Sequence, residues 1–290
     1  MPASMMSGLS ISHTAKTTFQ RCEREYFLKY IAKLTPVETA KPLRMGSAFS
    51  DALEDWDEAA VDSWYEQYYD AVPGSQFKMG NEPDVVRIMA ESYIARYVRH
   101  ERELEIPAHE IGICSFRGFI DGRLDSGVLI EDKLKGMWMP ADETALLKDD
   151  QVTGYVSMYA NMTGSDPDDL EMEYRVTKKP QLRQKKTETE AEFLVRLRDT
   201  VLSEPEKYHL SFPLTRSLSD VSEWWENTRL VADRIEALSG KTDEKDWATN
   251  FSACKRYGSL CDMWNICSAR DSLELEAVLG DQYKIKETDR

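Results

Sequence analysis

The residues of this sequence best suited to chemistry are Asp121 and the triplet Glu131, Asp132 and Lys133. Alternate residues of a β-strand lie on one face, so Glu131 and Lys133 are predicted to point one way and Asp132 the other. If Asp121 faces the same side as Glu131, two carboxylates and an ammonium group meet there. Such oxygen ligands suit Mg²⁺ or Mn²⁺, and a nearby lysine can hold a metal-bound water and offset the charge of a phosphodiester.

A β-hairpin is predicted to position these side chains. Residues 116–124 alternate as a strand does, the turn residues 125–127 (Asp-Ser-Gly) follow, and residues 128–130 form a second apolar run. The simplest alternative is a surface hairpin with a Glu/Lys pair on one face, because an acid-x-Lys triplet alone has little specificity.

The segment after the hairpin predicts a helix that carries Gln151 and Tyr155 on one face. Its apolar residues have helical spacing: Val152, Tyr155, Val156, Tyr159 and Met162. Three motifs come in the order found in the PD-(D/E)XK nuclease superfamily: Asp121 after Gly-Phe-Ile, Glu131-x-Lys133, and Gln151-x-x-x-Tyr155. The sequence therefore resembles the RecB-type branch of that superfamily over most of its length.

The resemblance implies an α+β protein with a restriction-endonuclease-like fold, in which helices flank a small mixed sheet and its α/β core. We expect one nuclease domain over residues 1–290. It would comprise a helical N-terminal lobe (1–108), the catalytic core sheet and helix (109–180), flanking helices (181–240), and a Cys-rich cluster segment with the tail (241–290). A hydrophobic content of 41% and an aromatic content of 10% are sufficient for such a core.

Hydrophobic periodicity predicts the elements around the hairpin. Ser12 or Thr14 can cap the first helix. Helices are expected over Ser10–Leu34, from Gly46 through Trp56 to Tyr69, and over Pro83–Glu105, Thr187–Leu202 and Ser219–Leu238. Strands are expected over His109–Phe116, Leu170–Thr177 and Tyr208–Thr215.

The resemblance also implies roles for the hairpin residues. Asp121 and Glu131, with the main-chain carbonyl of Asp132, would hold the divalent ion. Lys133 would position the attacking water and stabilise the negative charge that develops on the phosphate.

Three helical residues would complete the site by resemblance. Gln151 would orient the catalytic lysine or the water, and Tyr155 would contact the DNA strand near the scissile phosphate. The family often carries a His four residues before a Glu on an earlier helix; here those positions are Ser50 and Glu54. Glu54 could approach the metal without its usual His companion, or it could be an exposed helix acid.

The cysteines give a second signal. Cys254, Cys261 and Cys267 fall within fourteen residues, and Cys22 can supply a fourth thiolate if the N-terminal helix packs on this segment. A chain of this length does not need disulfides, so a metal site is favoured. Cys114 lies in an apolar run and is predicted to be a core thiol.

The identity of that metal follows from the resemblance. Zinc sites usually contain Cys-x-x-Cys pairs, which this segment lacks, and the spacing also differs from ferredoxin runs. RecB-type relatives place one Cys on the first helix and three near the C-terminus around a [4Fe–4S] cluster. The resemblance therefore implies that cluster, with zinc or free thiols as the alternatives.

The charge distribution bears on DNA binding. A net charge of −15 argues against a protein that coats DNA nonspecifically, because such proteins are usually basic. One basic run follows the predicted strand Leu170–Thr177, and it is either a solvated face or a rim that tracks phosphates. Its members are Lys178, Lys179, Arg183, Lys185 and Lys186.

By resemblance, the function is that of a metal-dependent DNA exonuclease acting on single strands or DNA ends in recombination, repair or CRISPR-type processing. The alternative is a catalytically weak nuclease-fold module that binds DNA or acts as a scaffold. No GxxxxGK[ST] motif occurs, so unwinding would need a helicase or recombination partner protein. No apolar run is long enough to span a membrane and no secretory signal is seen, so a cytoplasmic location is expected.

Overall fold

The computed structural model describes residues 9–111, 114–256 and 259–286. The chain forms two compact units. The first contains the described residues of 1–38, 106–118 and 219–290, and the second contains 39–105 and 119–218.

Among the described residues, five strands have two or three residues and the other five, all in the middle of the chain, have seven to eleven. They are β1 (Leu9–Ile11), β2 (Leu34–Pro36), β3 (Glu101–Ile111), β4 (Cys114–Arg123), β5 (Leu129–Lys135), β6 (Glu171–Lys178), β7 (His209–Thr215), β8 (Lys255–Arg256), β9 (Ser259–Leu260) and β10 (Tyr283–Ile285).

The helices range from single turns to more than five turns. They are α1 (His13–Arg21), α2 (Glu23–Tyr26), α3 (Lys41–Asp55), α4 (Ala60–Ala71), α5 (Gln76–Met79), α6 (Glu82–Arg96), α7 (Pro140–Ala145), α8 (Asp150–Thr163), α9 (Glu190–Ser203), α10 (Pro205–Tyr208), α11 (Leu218–Leu238), α12 (Trp264–Ser268) and α13 (Ser272–Gln282).

The second unit contains a mixed sheet in the order β4-β5-β6-β7. Strands β4 and β5 form the predicted antiparallel hairpin, with Gly127 in the left-handed region (φ 92°) at its turn. Strand β5 runs parallel to β6, and β6 is antiparallel to β7. Helix α3 packs on β5 and helix α8 packs on β6. The predicted α+β class, a small mixed sheet flanked by helices, is confirmed.

A hydrophobic core lies between the helices of the second unit and supports this sheet. Burial of apolar side chains supplies most of the stabilisation of such a core. Its largest members come from α3, α4, α6, α9 and α10: Met45, Phe49, Leu53, Tyr65, Met89, Tyr93, Phe193, Leu197 and Tyr208.

The first unit has its own strand pairings and its own core. Strand β1 runs parallel to the start of β4, β10 is antiparallel to β2, and β8 pairs with β9. Trp247 is fully buried against Tyr26 and Phe27, with ring centroids 6.0 Å and 5.4 Å away. These rings attach the segment after α11 to the N-terminal helices.

The N-terminal helix prediction was wrong in its continuity. Ser12 caps α1 as predicted, accepting a hydrogen bond from the Ala15 N–H at 3.2 Å. The helix then breaks at Cys22, whose backbone is extended (φ −161°, ψ 112°). Next to the break, the Arg24 N–H donates to the carbonyl of Ala248 at 3.1 Å. Local periodicity could not indicate that long-range bond.

Two further helix predictions had wrong boundaries. The helix expected from Gly46 to Tyr69 is divided into α3 and α4, because Trp56 adopts a left-handed backbone (φ 57°) at the end of α3. The helix expected over Pro83–Glu105 ends at Arg96, and strand β3 begins at Glu101. The strand expected over His109–Phe116 covers parts of β3 and β4, and its residues 112 and 113 lie outside the described residues.

The bounds of two strands and two helices in the second half of the chain agree with the predicted bounds to within a few residues. The predicted strands Leu170–Thr177 and Tyr208–Thr215 are β6 and β7. The predicted helices Thr187–Leu202 and Ser219–Leu238 are α9 and α11. None of the helices in the described residues has both the length and the apolar character needed to cross a membrane.

Candidate active site

The hairpin brings Asp121, Glu131 and Lys133 together in the second unit. Gly122 pairs with Ile130 in the antiparallel register, which places Asp121 opposite Glu131. Side chains of directly opposed residues lie on the same face of a sheet. The Lys133 ammonium forms an ion pair with the Glu131 carboxylate.

The two carboxylates lie in an environment that disfavours their negative charge. The Glu131 side chain is fully buried, and neither of its oxygens accepts a regular hydrogen bond from the described residues. Burial, together with the Asp121 carboxylate, raises the pKa of Glu131 to about 8. Burial also raises the pKa of Asp121, although Lys133 partly offsets the shift. Two like charges in a dry site produce this effect.

Lys133 remains the positive charge of the site. Burial acts to lower the pKa of its ammonium group, but Glu131 and Asp121 outweigh that effect and raise the pKa above its usual value. The side chain is therefore protonated at physiological pH. It can neutralise charge and donate hydrogen bonds, but it is poorly suited to remove a proton.

Gln151 and Tyr155 lie on α8, which Asp149 caps by accepting a hydrogen bond from the Val152 N–H at 2.9 Å. The Gln151 amide donates to the Tyr155 hydroxyl at 3.0 Å. Burial and then the Glu131 carboxylate raise the pKa of Tyr155. Tyr155 therefore lies on the Glu131 side of the sheet, and Gln151 is engaged with Tyr155.

Glu54 lies on the exposed surface of α3, where it is close to an acidic residue that the sequence analysis did not select. That residue is Glu103 on β3, which has a left-handed backbone (φ 49°). Burial, then Glu54, and more weakly Asp121 raise the pKa of Glu103. The sequence does not point to Glu103, because the helical pattern of residues 83–105 places it at the end of a helix rather than on a strand.

The Asp132 side chain points to the opposite face of β5, as predicted. The Tyr93 hydroxyl donates to it at 2.6 Å, and Arg102 forms an ion pair with it. Its own main-chain N–H donates to the Asp121 carboxylate at 2.8 Å. Neither Tyr93 nor Arg102 was selected from the sequence, because nothing local connects them to the hairpin.

The chain as a whole matches a known protein family. The sequence model of the PD-(D/E)XK nuclease superfamily matches residues 10–268. This protein belongs to the PD-(D/E)XK nuclease superfamily. A search of curated proteins found no match. Among solved structures, the chain is similar to a protein from Eubacterium rectale provisionally described as an exonuclease, with 12% identity, 85% of each chain covered and a TM-score of 0.49.

The carboxylates of this superfamily member fit a divalent metal ion. Members of the PD-(D/E)XK superfamily usually use Mg²⁺ or Mn²⁺. Burial raises the pKa of Asp121, burial and then the Asp121 carboxylate raise that of Glu131, and Lys133 is the one cation paired with Glu131 among the described residues, so a metal cation at this place would stabilise both negative charges. Within the described residues, no group of three or more His, Cys, Asp or Glu side chains is arranged to hold a metal. The site therefore offers two carboxylates, leaving carbonyl, water and phosphate oxygens to complete the coordination.

Gly122, which follows Asp121, has no room for a side chain. A Cβ atom there would overlap the His100 ring and lie 2.7 Å from the carbonyl oxygen of Glu101. We expect Gly122→Ala to destabilise the protein by about 1–3 kcal/mol, the usual cost of overpacking, and to reduce nuclease activity by displacing Asp121.

The measurement is urea unfolding, with cleavage assayed on the same preparation. Gly46→Ala is the matched control, because Gly46 lies within α3 and nothing is within 4 Å of a Cβ placed there. That control should be neutral or slightly stabilising, since alanine favours helices by up to ~1 kcal/mol over glycine. Equal unfolding midpoints for Gly122→Ala and the unaltered protein would contradict the close packing.

The predicted basic run follows β6 and is attached to the end of β5. The Lys179 N–H donates to the Lys135 carbonyl at 2.8 Å, and the Gln181 amide donates to the Gly136 carbonyl at 2.8 Å. Lys178 and Lys179 are half-buried, whereas Arg183, Lys185 and Lys186 are exposed. The run therefore begins next to residues that lie two and three positions after Lys133.

The first unit gathers the four predicted cysteine ligands around one pocket. Cys22, Cys254, Cys261 and Cys267 all line it, and Trp264 lies beside them. The Cys261 N–H donates to the Cys254 carbonyl at 2.9 Å. Burial raises the pKa of Cys261 and of Cys267 to about 11.

The four thiols share this pocket, but in the part of the chain that the structure describes no three or more Cys, His, Asp or Glu side chains are arranged to hold a metal ion. Cys114 lies apart from this pocket and is fully buried, as predicted.

Proposed function

We propose that this superfamily member is a divalent-metal-dependent deoxyribonuclease that removes nucleotides from single strands or ends of DNA. The observation that carries the proposal is the pair of carboxylates, half-buried Asp121 and fully buried Glu131, beside the charged Lys133. This combination supplies ligands for a hard cation and a fixed positive charge for a phosphodiester.

Each residue has a defined task in the proposed hydrolysis. Asp121, Glu131 and the Asp132 carbonyl bind the Mg²⁺ or Mn²⁺ ion, which when bound acidifies water and offsets phosphate charge. Lys133 orients the attacking water and stabilises the charge that develops on the phosphate.

The helix α8 supplies the remaining contacts in this proposal. Tyr155, whose pKa is raised by burial and by the Glu131 carboxylate, contacts the DNA strand next to the scissile phosphate. Gln151 holds the Tyr155 hydroxyl through its 3.0 Å hydrogen bond, so it acts through Tyr155. Glu54, exposed on α3 near Glu103, would bind the metal through an intervening water, because it lies outside the buried pair.

The basic run would guide the strand to this site. Removing three exposed charges with Arg183→Ala, Lys185→Ala and Lys186→Ala should weaken single-strand binding and flatten its salt dependence. Each phosphate contact contributes roughly 0.7 to the slope of log K against log salt, so the slope should fall by about two. Fluorescence anisotropy at several salt concentrations measures it.

The control for this triple variant is Lys207→Ala, since Lys207 is exposed on α10 and pairs with Glu204 at 3.0 Å. That variant should bind as the unaltered protein does. An unchanged salt slope in the triple variant would mean that the basic run is only a solvated face.

We also propose that Cys22, Cys254, Cys261 and Cys267 bind a [4Fe–4S] cluster, which would place this protein in the RecB-type branch of its superfamily. Their convergence on one pocket supports this proposal. A cluster there would join the N-terminal helices to the C-terminal segment. More than two hundred residues of the chain lie between Cys22 and Cys254.

The proposed biological setting is DNA-end processing in recombination, repair or CRISPR-type pathways in the cytoplasm. Because the sequence has no ATP-binding P-loop, unwinding of duplex DNA would require a helicase or recombination partner protein.

Linear and circular single-stranded DNA of equal length test the proposed reaction. In the presence of Mn²⁺, the protein should release nucleotides from the linear strand and leave the circle intact, since an exonuclease requires an end. Cleavage of both substrates would indicate an endonuclease. Binding to DNA without cleavage of either one would indicate a binding or scaffolding module.

A further inference from the structure

The middle residue of the catalytic triplet carries a buried charge that the proposed reaction does not use. The Asp132 side chain is 4% exposed and faces away from Glu131 and Lys133. It accepts a hydrogen bond from Tyr93 at 2.6 Å, forms an ion pair with Arg102, and lies 4.0 Å from the His100 imidazole. An apolar side chain would pack there without the cost of burying two charges.

The contacts of Asp132 extend across the sheet. The Tyr93 hydroxyl, which donates to Asp132, accepts a hydrogen bond from Arg175 on β6 at 3.0 Å. Arg175 in turn forms an ion pair with Glu173 at 2.9 Å, and Glu173 accepts a hydrogen bond from Ser211 on β7. A polar network therefore connects α6, β3, β5, β6 and β7.

This network reaches both proposed metal-binding strands. On β5, the main-chain N–H of Asp132 donates to the Asp121 carboxylate at 2.8 Å. On β4, Gly122 follows Asp121 directly, and its backbone lies against the His100 ring. The His100 Nε2 atom also accepts a 3.2 Å hydrogen bond from Arg102. The side chains around Asp132 thus fix the backbone on both sides of the proposed metal site.

We propose that Asp132, held by Arg102 and Tyr93, is a positioning residue that sets the spacing of Asp121 and Glu131 for the divalent ion. The inference rests on the proposed function, since it concerns the same metal site. Buried ion pairs contribute little net stability but can impose one geometry. Groups that hold metal ligands in place typically change metal affinity or activity by about 10–100-fold.

A second buried network in the same unit provides a matched control. Glu82 is 1% exposed, receives two hydrogen bonds from Arg44 at 3.1 Å and 3.2 Å, and accepts a third from Tyr65 at 2.8 Å. It has the same composition of carboxylate, arginine and tyrosine as the Asp132 network. None of its described contacts involves Asp121 or Glu131. Glu82→Gln therefore removes one buried negative charge, as Asp132→Asn does, from a network that does not contact the proposed metal ligands.

The experiment compares Mn²⁺ binding by metal-stripped full-length protein, Asp132→Asn and Glu82→Gln, using isothermal titration calorimetry. Asp132→Asn should weaken Mn²⁺ binding by at least about tenfold. Glu82→Gln should bind Mn²⁺ as the unaltered protein does, even if its unfolding midpoint falls. In cleavage assays of Asp132→Asn, the Mn²⁺ concentration that gives the half-maximal rate should rise. The factor of this rise should be larger than the factor by which the rate at saturating Mn²⁺ falls.

Tyr93→Phe provides a second variant if Asp132→Asn does not fold. It removes the hydrogen bond to Asp132 and the one from Arg175, but it keeps the ring and the Asp132–Arg102 ion pair, so it should weaken Mn²⁺ binding by a smaller factor than the asparagine variant. Unchanged Mn²⁺ affinity in the variant that folds would overturn the proposal. Equal weakening by Glu82→Gln would also overturn it, because the effect would then follow general destabilisation.

The calorimetric readout separates this inference from the proposed function. Unaltered protein that binds Mn²⁺ but cleaves no DNA would contradict the nuclease proposal, while the affinity comparison would still decide the role of Asp132. Protein that cleaves DNA with equal Mn²⁺ affinity in both the unaltered form and Asp132→Asn would overturn only the positioning role. Unaltered protein that binds no Mn²⁺ would overturn both.

Discussion

Glu131→Gln should abolish metal-dependent DNA cleavage, and Asp121→Asn should do the same. Each change keeps the side-chain size and removes one of the two negative charges that we propose bind the cation. Lys133→Ala should reduce the rate by at least about 10²-fold, the usual scale for losing a group that stabilises transition-state charge. Initial rates of nucleotide release from labelled single-stranded DNA in Mn²⁺ measure all three.

The control for these variants is Asp125→Asn, because Asp125 is an exposed acid in the turn of the same hairpin. Its activity should equal that of the unaltered protein. The carboxylate variants should remain folded, because each amide keeps the size of the side chain and an oxygen that can accept a hydrogen bond, as Asp121 does from the Asp132 N–H. Each change also removes a negative charge that burial disfavours. Full activity in Asp121→Asn or Glu131→Gln would remove that residue from the mechanism.

The second large effect concerns the cysteine pocket. Protein purified without oxygen should be brown and contain about four irons per chain, as a [4Fe–4S] centre requires. Cys22→Ala should bleach the colour and lower the thermal unfolding midpoint, because the cluster would no longer join the N-terminal helices to the C-terminal segment. Visible absorbance, iron analysis and thermal unfolding provide the measurements.

Cys114→Ala serves as the control, since Cys114 is fully buried and lies outside the pocket. It should keep the colour and the iron content, although removing a buried thiol can lower stability. A colourless protein with one zinc per chain would contradict the iron–sulfur assignment and leave the proposed nuclease site unaffected.

The hairpin could be predicted from the sequence because its signals are local. The Asp-Ser-Gly turn, the alternation before it and the two-residue period after it determine which residues pair and which faces they share. The structure accordingly places Asp121 opposite Glu131 and turns Asp132 to the other face. The capping residue Asp149 and the helical period likewise define α8.

The surroundings of the hairpin could not be predicted in the same way. Arg102 and Tyr93 reach Asp132 across 30 and 39 residues of sequence, and no local pattern encodes such pairs. The sequence pattern predicts a helix for the segment that contains Arg102 and Glu103, whereas the structure forms strand β3 there. This segment is rich in charged residues, so its sequence distinguishes poorly between a helix and a strand. Pairing with a neighbouring strand determines that it is a strand.

The break at Cys22 illustrates the same limit in the first unit. The residues on both sides favour a helix, and the structure interrupts it where the chain bonds to the segment around Ala248. That long-range contact, which is also next to the cysteine pocket, overrides the local preference.

The most direct test of the central claim is release of acid-soluble nucleotides from uniformly labelled single-stranded DNA by the purified protein. The account predicts release in Mn²⁺ or Mg²⁺, an immediate stop on addition of EDTA, and recovery when Mn²⁺ is added in excess. Glu131→Gln prepared in parallel should release nothing above background. Folded, unaltered protein that releases no nucleotides with either ion, or whose release continues in EDTA, would contradict the assignment of a metal-dependent nuclease to the Asp121–Glu131–Lys133 site.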